Sequence, residues 1–326
     1  MKIIHVHKDH DPNVVRQRLT ALGLWTTKLE DGDHVSLLAS ASSSALPSDE
    51  AIADIAGVVA VMCSKSPHPI MDAHAPTVDL GDGVIVGGGA PVLMAGPCSV
   101  ESEEQINVAA KMVAEAGAAV LRGGCFKPRT NPYSFQGIGP QGLVWMHEAA
   151  KVYDLKIVTE AMAPQHVDVV AQYSDVFQIG ARNMQNFDLL HAVGRAGKPV
   201  LLKRGLSATI DEWLQAAEHT MHAGASAVIL CERGVRSFDP NTRFLFDIAA
   251  VAMIKHQYNL PVIADPSHAT GRKDLIPHMG AAALAVGADG LIVETHPNPA
   301  VACSDGPQQL DPAELQAAAT KWGFAK

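Results

Sequence analysis

The chain has 326 residues, 48 % of them apolar and only 5 % aromatic, enough for one large core with a small second unit beside it. Its 25 Lys and Arg against 34 Asp and Glu give a formal net charge of −9, which excludes a general role on nucleic acid or on an anionic membrane, so any basic site must be local. Five cysteines (Cys63, Cys98, Cys125, Cys231 and Cys303) are odd in number, widely spaced and free of a CxxC pair, which excludes a disulfide framework and a zinc ribbon.

Met1 to Val15 mixes His, Lys and Asp with no apolar core for a signal peptide, and no uncharged run reaches membrane-spanning length; a cytoplasmic protein is expected. Residues 1–66 then read as Lys2–His7 strand, Pro12–Leu22 helix, strands Leu24–Leu29 and His34–Ala39 around an Asp31-Gly32-Asp33 turn, Ser48–Ile55 helix and Val58–Cys63 strand. That βαββαβ order predicts a ferredoxin-like unit. Residues 67–90 are expected to be a linker, opening with the proline-rich stretch from Ser64 to Pro76, and a hairpin around Gly81-Asp82-Gly83 that plugs the bottom of the larger unit after it. The Gly87-Gly-Gly89 run lacks the Lys-Ser/Thr of a P-loop and reads as a turn.

From residue 91 to 326 the pattern changes to apolar runs near 92–96, 118–122, 156–160, 175–179, 199–203, 226–231, 260–265 and 289–293, with amphipathic segments between them and a last helix from about Pro312 to Trp322. Eight such runs predict a (β/α)8 TIM barrel of α/β class, whose active site lies at the carboxyl ends of the strands. Chemistry follows every run. In order come Cys98, then Arg122 and Lys127, then Glu160, Arg182, Lys203-Arg204, Glu232-Arg233, Asp265-Pro-Ser-His268 and Glu294-Thr-His296.

Two subsets emerge. Arg122, Lys127, Arg129, Arg182, Lys203 and Arg233 are expected to gather phosphates and a carboxylate, the stretch Arg122–Thr130 joining three cations and a hydroxyl to paired glycines. A single one of these arginines would read equally well as a surface salt bridge. Cys98, His268, Glu294 and Asp305 combine a thiolate, an imidazole and two carboxylates, a donor set for a divalent transition metal rather than Mg or Ca. Spacing alone does not decide between that and a buried, inert cysteine. Cys125 is read as a packing residue, and His296 as lying behind the metal donors or at the surface.

At the level of motifs the chain resembles the 3-deoxy-D-arabino-heptulosonate 7-phosphate (DAHP) synthases of the microbial subtype with an amino-terminal ferredoxin-like domain. The resemblance rests on Ala95-Gly-Pro-Cys-Ser-Val-Glu101, Leu121-Arg-Gly-Gly124, Lys127-Pro-Arg-Thr130, Pro132-Tyr-Ser-Phe-Gln-Gly137, Gln178-Ile-Gly-Ala-Arg-Asn183, Leu202-Lys-Arg-Gly205, Cys231-Glu-Arg-Gly234, Asp265-Pro-Ser-His268 and Ser304-Asp-Gly306. It implies a transferase of the shikimate pathway that condenses phosphoenolpyruvate with erythrose 4-phosphate and water. It implies one divalent metal ion per subunit, Mn2+ before Fe2+, Co2+ or Zn2+, on Cys98, His268, Glu294 and Asp305. Arg122, Lys127, Arg182, Lys203 and Arg233 are then expected to hold phosphoenolpyruvate, and Arg129 with Thr130 the aldose phosphate. Lys203, or a water on the metal, is expected to protonate the new alkoxide, and Glu160 to place the water that adds to C2 of the enolpyruvyl unit.

The resemblance also implies a homotetramer or homodimer and feedback inhibition by tyrosine or phenylalanine through residues 1–66, where no motif identifies an amino-acid pocket. Three alternatives stand beside this reading. The sister 3-deoxy-manno-octulosonate 8-phosphate synthases act on arabinose 5-phosphate and carry Lys-Ala-Asn-Arg where this chain has Lys127-Pro-Arg-Thr130. A class I aldolase would use Lys203 as a Schiff base. A non-catalytic sugar-phosphate or amino-acid sensor would require damaged motifs, and none is visibly damaged.

Overall fold

The structure, a computed structural model, describes residues 2–31, 34–39, 43–45, 47–63, 66–127, 131 and 133–325. Gly32 and Asp33 of the expected turn, Ser64 at the head of the expected linker, and Pro128, Arg129, Thr130 and Pro132 of the phosphate-loop motifs lie outside them. The chain divides into two compact units, residues 1–72 and 73–326.

The first unit runs β1 (Lys2–Val6), α1 (Pro12–Ala21), β2 (Thr26–Asp31), β3 (His34–Ala39), α2 (Asp49–Ala53) and β4 (Val58–Cys63), followed by one turn of helix, α3 (Pro69–Asp72). The four strands form an antiparallel sheet in the order β2-β3-β1-β4, the ferredoxin-like arrangement, with Ile4 opposite both Leu37 and Val61. Alternation sends Ile4, Val6, Leu37 and Ala39 to one face, where Val15 and Leu19 of α1 and Ile52 of α2 cover them. The strand expected from Leu24 begins only at Thr26. Gly23 takes φ 81° and the Leu24 N–H reaches back to the Leu19 carbonyl, so the fully buried Leu24 ends α1 instead of starting β2. The expected linker holds α3, which Pro69 opens with the fixed φ of a first helical residue.

In the second unit β5 (Val78–Asp79) and β6 (Ile85–Val86) pair antiparallel, and eight parallel strands close into a barrel. They are β7 (Val92–Gly96), β8 (Val120–Arg122), β9 (Lys156–Glu160), β10 (Val176–Ile179), β11 (Val200–Lys203), β12 (Val228–Glu232), β13 (Val262–Ala264) and β14 (Gly290–Glu294), with β14 bonded back to β7. Val78, Leu80 and Val86 of the hairpin pack on Val92, Val120 and Val176, the first residues of three strands, and so cover the amino-terminal end of the barrel core. Covered on both faces, the strands are apolar almost throughout, as parallel strands must be.

The helices are bounded by local chemistry. Thr209 with Glu212 and Asp311 with Glu314 form capping boxes at α8 (Ile210–His222) and α12 (Pro312–Trp322). The short α10 (Pro266–Thr270) is punctuated the same way: the Asp265 carboxylate accepts the His268 N–H at 3.0 Å, Pro266 starts the turn and Gly271 ends it at φ 64°. Among the described residues no helix is long and apolar enough to cross a membrane.

Candidate active site

The carboxyl ends of the strands surround a cavity of about 720 Å3, counted with its open mouth. Arg122 from β8, Lys203 from β11 and Arg233 just after β12 are each no more than 5 % exposed, while Lys127 and Arg182 reach in from loops. All five described cations of the sequence reading therefore face one space; Arg129 and Thr130 lie outside the described residues. Glu160 and Gln178 line the same wall, the Gln178 amide donating to Glu160 Oε2 at 3.2 Å. A Cβ at Gly180 would stand 2.2 Å from Glu160 Oε1, so a side chain there would push the Glu160 carboxylate aside.

Among the described residues each buried charge has an assigned partner except one. Arg122 donates from one guanidinium nitrogen to Glu294 Oε1 and the Pro97 carbonyl, both at 2.9 Å. Lys203 Nζ lies 2.6 Å from Asp265 Oδ2, which also contacts His268 Nδ1 at 2.8 Å. Burial opposes charge on Asp265, yet His268 and Lys203 on either side hold it well below the usual carboxylate range. Arg233 is the exception. Its guanidinium rests on the Phe244 ring at 4.3 Å with one buried N–H group unpartnered.

Of the second subset His268 and Asp305 line the same cavity, while Cys98 and Glu294 are buried beside them. Cys98 Sγ and carboxylate oxygens of Glu294 and Asp305 fall within 4.8 Å of one another. His268 is drawn alongside, its Nε2 3.3 Å from Glu294 Oε1, but does not join that three-way cluster. Lys127 Nζ sits 3.1 Å from Cys98 Sγ and 2.9 Å from the Cys98 carbonyl. Phe126, the residue before it, stacks on His166 with ring centres 4.0 Å apart. Burial, helped by Glu294, pushes the Cys98 thiol up to about 11 against the pull of Lys127. At Glu294 burial again opposes charge, but His268, Arg122 and Lys127 hold the carboxyl down to about 2. Burial also lowers His268, against the pull of Asp265 and Glu294. A thiol, an imidazole with its other nitrogen tied to a carboxylate, and two carboxylates fit a divalent transition metal.

Sequence reasoning missed several members. Arg243 lines the cavity from the 234–246 loop and lies 3.9 Å from Asp305 Oδ2, but nothing periodic surrounds it in the sequence. Asp265 was legible as part of a motif but not as the bridge between Lys203 and His268. Gln178 was likewise legible within the motif Gln178-Ile-Gly-Ala-Arg-Asn183 but not as the partner of Glu160. Cys125 is buried, its thiol pushed up to about 12 by desolvation, as a packing residue should be. His296 is 3 % exposed, which removes the surface alternative; its Nε2 stands 3.4 Å from Glu101 Oε2.

A closed (β/α)8 barrel with cations converging beside a thiol–carboxylate cluster at the carboxyl ends of its strands defines a barrel enzyme with a cation-lined mouth. Residues 69–324 match the model of the DAHP synthetase I family. Over 250 residues the chain is 51 % identical to phospho-2-dehydro-3-deoxyheptonate aldolase of Thermotoga maritima, covering 77 % of this chain and 72 % of that one. A crystal structure of that Thermotoga DAHP synthase covers 99 % of this chain and 96 % of its own, with 38 % identity and a TM-score of 0.77. The 2-dehydro-3-deoxyphosphooctonate aldolase of Acidithiobacillus ferrooxidans is 33 % identical over 66 % of this chain and 82 % of its own. The chain belongs to the DAHP synthetase I family and is an enzyme of the DAHP synthase type.

Proposed function

We propose that the enzyme joins C3 of phosphoenolpyruvate to the aldehyde carbon of D-erythrose 4-phosphate, adds water at C2 and releases inorganic phosphate. The observation that carries this reading is the convergence of Arg122, Lys127, Arg182, Lys203 and Arg233 on one cavity. Five cations can neutralise a phosphate and a carboxylate together, and their fixed positions favour the charge that develops on the leaving phosphate. Arg129 and Thr130 hold the phosphate of the aldose, on the strength of the Lys127-Pro-Arg-Thr130 motif.

Cys98, Glu294 and Asp305, with His268 beside Glu294, hold a divalent metal, Mn2+ first, then Fe2+, Co2+ or Zn2+. When bound it supplies Lewis-acid polarisation of the aldehyde, which an enol ether needs because it is a weak carbon nucleophile. Asp265 fixes Lys203 Nζ at 2.6 Å, so that a proton from Nζ can reach the new alkoxide oxygen. Glu160, anchored by Gln178, orients the water that adds to C2. Residues 1–66 act as a regulatory unit that binds tyrosine or phenylalanine, and the assembly is a homotetramer or homodimer.

The 33 % identity to octulosonate aldolases keeps one second reading, arabinose 5-phosphate as the aldose. Phosphate release by metal-stripped protein, with each sugar and with or without Mn2+, tests both. Metal-dependent turnover with the four-carbon sugar alone is expected; turnover with arabinose 5-phosphate moves the assignment to the sister reaction, and metal-independent turnover removes the metal. Inhibition by tyrosine or phenylalanine that disappears on deletion before Pro67 is the expected mark of the regulatory unit. A full-length enzyme indifferent to both amino acids rejects that role.

A further inference from the structure

The segment that delivers Asp305 continues through two buried glutamines that the proposed chemistry does not use, Gln308 and Gln309. Asp305 adopts φ 49° and opens a single turn of 3-10 helix, Gly306–Gln308, after which Leu310 pairs with the backbone just beyond β14. The Leu310 N–H donates to the Glu294 carbonyl and the His296 N–H to the Leu310 carbonyl, each at 3.0 Å. Both glutamine side chains then point back at the donor cluster.

Gln309 is fully buried. Its Oε1 accepts the Cys98 N–H at 3.0 Å and its Nε2 donates to the Ser304 carbonyl at 2.8 Å. One amide thus ties the loop carrying the thiol to the loop carrying Asp305, and contact between the Ser99 and Ser304 hydroxyls closes the same seam. Gln308 Nε2 donates to Glu294 Oε2 at 2.5 Å, while its Oε1 accepts from Arg243 at 3.0 Å. Neither amide can be turned round, since a backbone N–H or an arginine offers only donors, and a carbonyl or an ionised carboxylate only accepts. Glutamate, methionine or leucine would each break one or both links.

We infer that Gln308 and Gln309 are positioning residues for the divalent metal, Gln308 setting the Glu294 carboxylate and Gln309 setting the Cys98 thiolate against Asp305. The inference rests on the metal reading above. Removal of groups that orient metal ligands costs about 10–100-fold in affinity, and these two act on different donors, so their losses differ in kind.

The test is titration of metal-stripped full-length protein with Co2+, reading the dissociation constant and the near-ultraviolet thiolate-to-cobalt band together. Gln309→Met is expected to weaken Co2+ about 10–100-fold and to shift or weaken the thiolate band. Gln309→Glu, which keeps acceptance of the Cys98 N–H but loses the donor to Ser304, falls between it and wild type. Gln308→Met is expected to weaken affinity by a similar factor with the band in place, because Glu294 and not Cys98 loses its partner. Gln316→Met, on the exposed face of α12, is the control. Circular dichroism establishes that each variant is folded; if Gln309→Met is not, Gln309→Glu and Gln308→Met carry the comparison. Folded variants with wild-type affinity and spectrum overturn the positioning role. Wild-type protein that gives no thiolate band with Co2+ overturns the metal reading itself, and the inference with it.

Discussion

The two ends of the barrel are built from the same eight strands and obey opposite rules. At the amino-terminal end Val78, Leu80 and Val86 seal an apolar core, and the charges beside it are paired at its edge, Lys156 with Asp82, whose side chain is 84 % exposed, and Asp289 with Lys255. At the carboxyl end Arg122, Lys203, Asp265 and Glu294 are buried, and Arg122, Asp265 and Glu294 each hold more than one partner. The bottom is arranged for stability. The top carries desolvated charge whose cost only neighbouring charge and a bound anion can offset.

The sharpest test of that contrast is Arg233→Met. Loss of a donor aimed at developing charge is expected to lower kcat/KM by about 10²–10³, while the melting temperature holds or rises because an unpartnered buried N–H group is removed. Retained activity would sink the assignment of Arg233 to the anion. Leu80→Ala reverses the pattern: a loss of about 2–3 kcal/mol in urea unfolding, with turnover per folded molecule unchanged. An equal loss of activity would mean that the two ends are coupled.

Smaller effects separate the ends further. His74, at the bottom, accepts the Val228 N–H on Nε2 at 3.0 Å and contacts the Ala75 carbonyl through Nδ1, an arrangement that requires neutral imidazole. Burial holds its folded-state value below the ordinary 6.5, against the pull of Ala75. Its contribution is therefore complete above pH 6.5 and is lost as pH falls from there through the lowered folded value. The urea midpoint should drop across that window, and His74→Gln should remove part of the slope; an unchanged slope would show that His74 does not titrate there. Smallest of all, Asp82→Ser should leave the midpoint unmoved, since water already screens its pair with Lys156.

The legibility of these features in the sequence is set by the range of the forces behind them. Apolar runs act over a few residues, so the barrel strands and the last helix could be read directly, whereas the one-turn helix carrying His268 was seen only as a motif. Leu24 shows the limit: strand-like in sequence, it is used to end a helix, a choice made by the hydrogen bond to Leu19 and the pocket beneath the sheet. The cations at the strand ends were legible because a parallel barrel sends every such residue to one rim.

Local patterning was enough for the barrel, the unit before it and the cations at the strand ends, since periodicity and motif spacing are local properties of the chain. Only the tertiary structure decided which charges are partnered, that Asp265 bridges Lys203 and His268, that Arg243 enters the cavity, and that Gln308 and Gln309 reach Glu294 and Cys98. Those pairings join residues up to 211 positions apart, so only the closed barrel brings their hydrogen-bonding groups within reach.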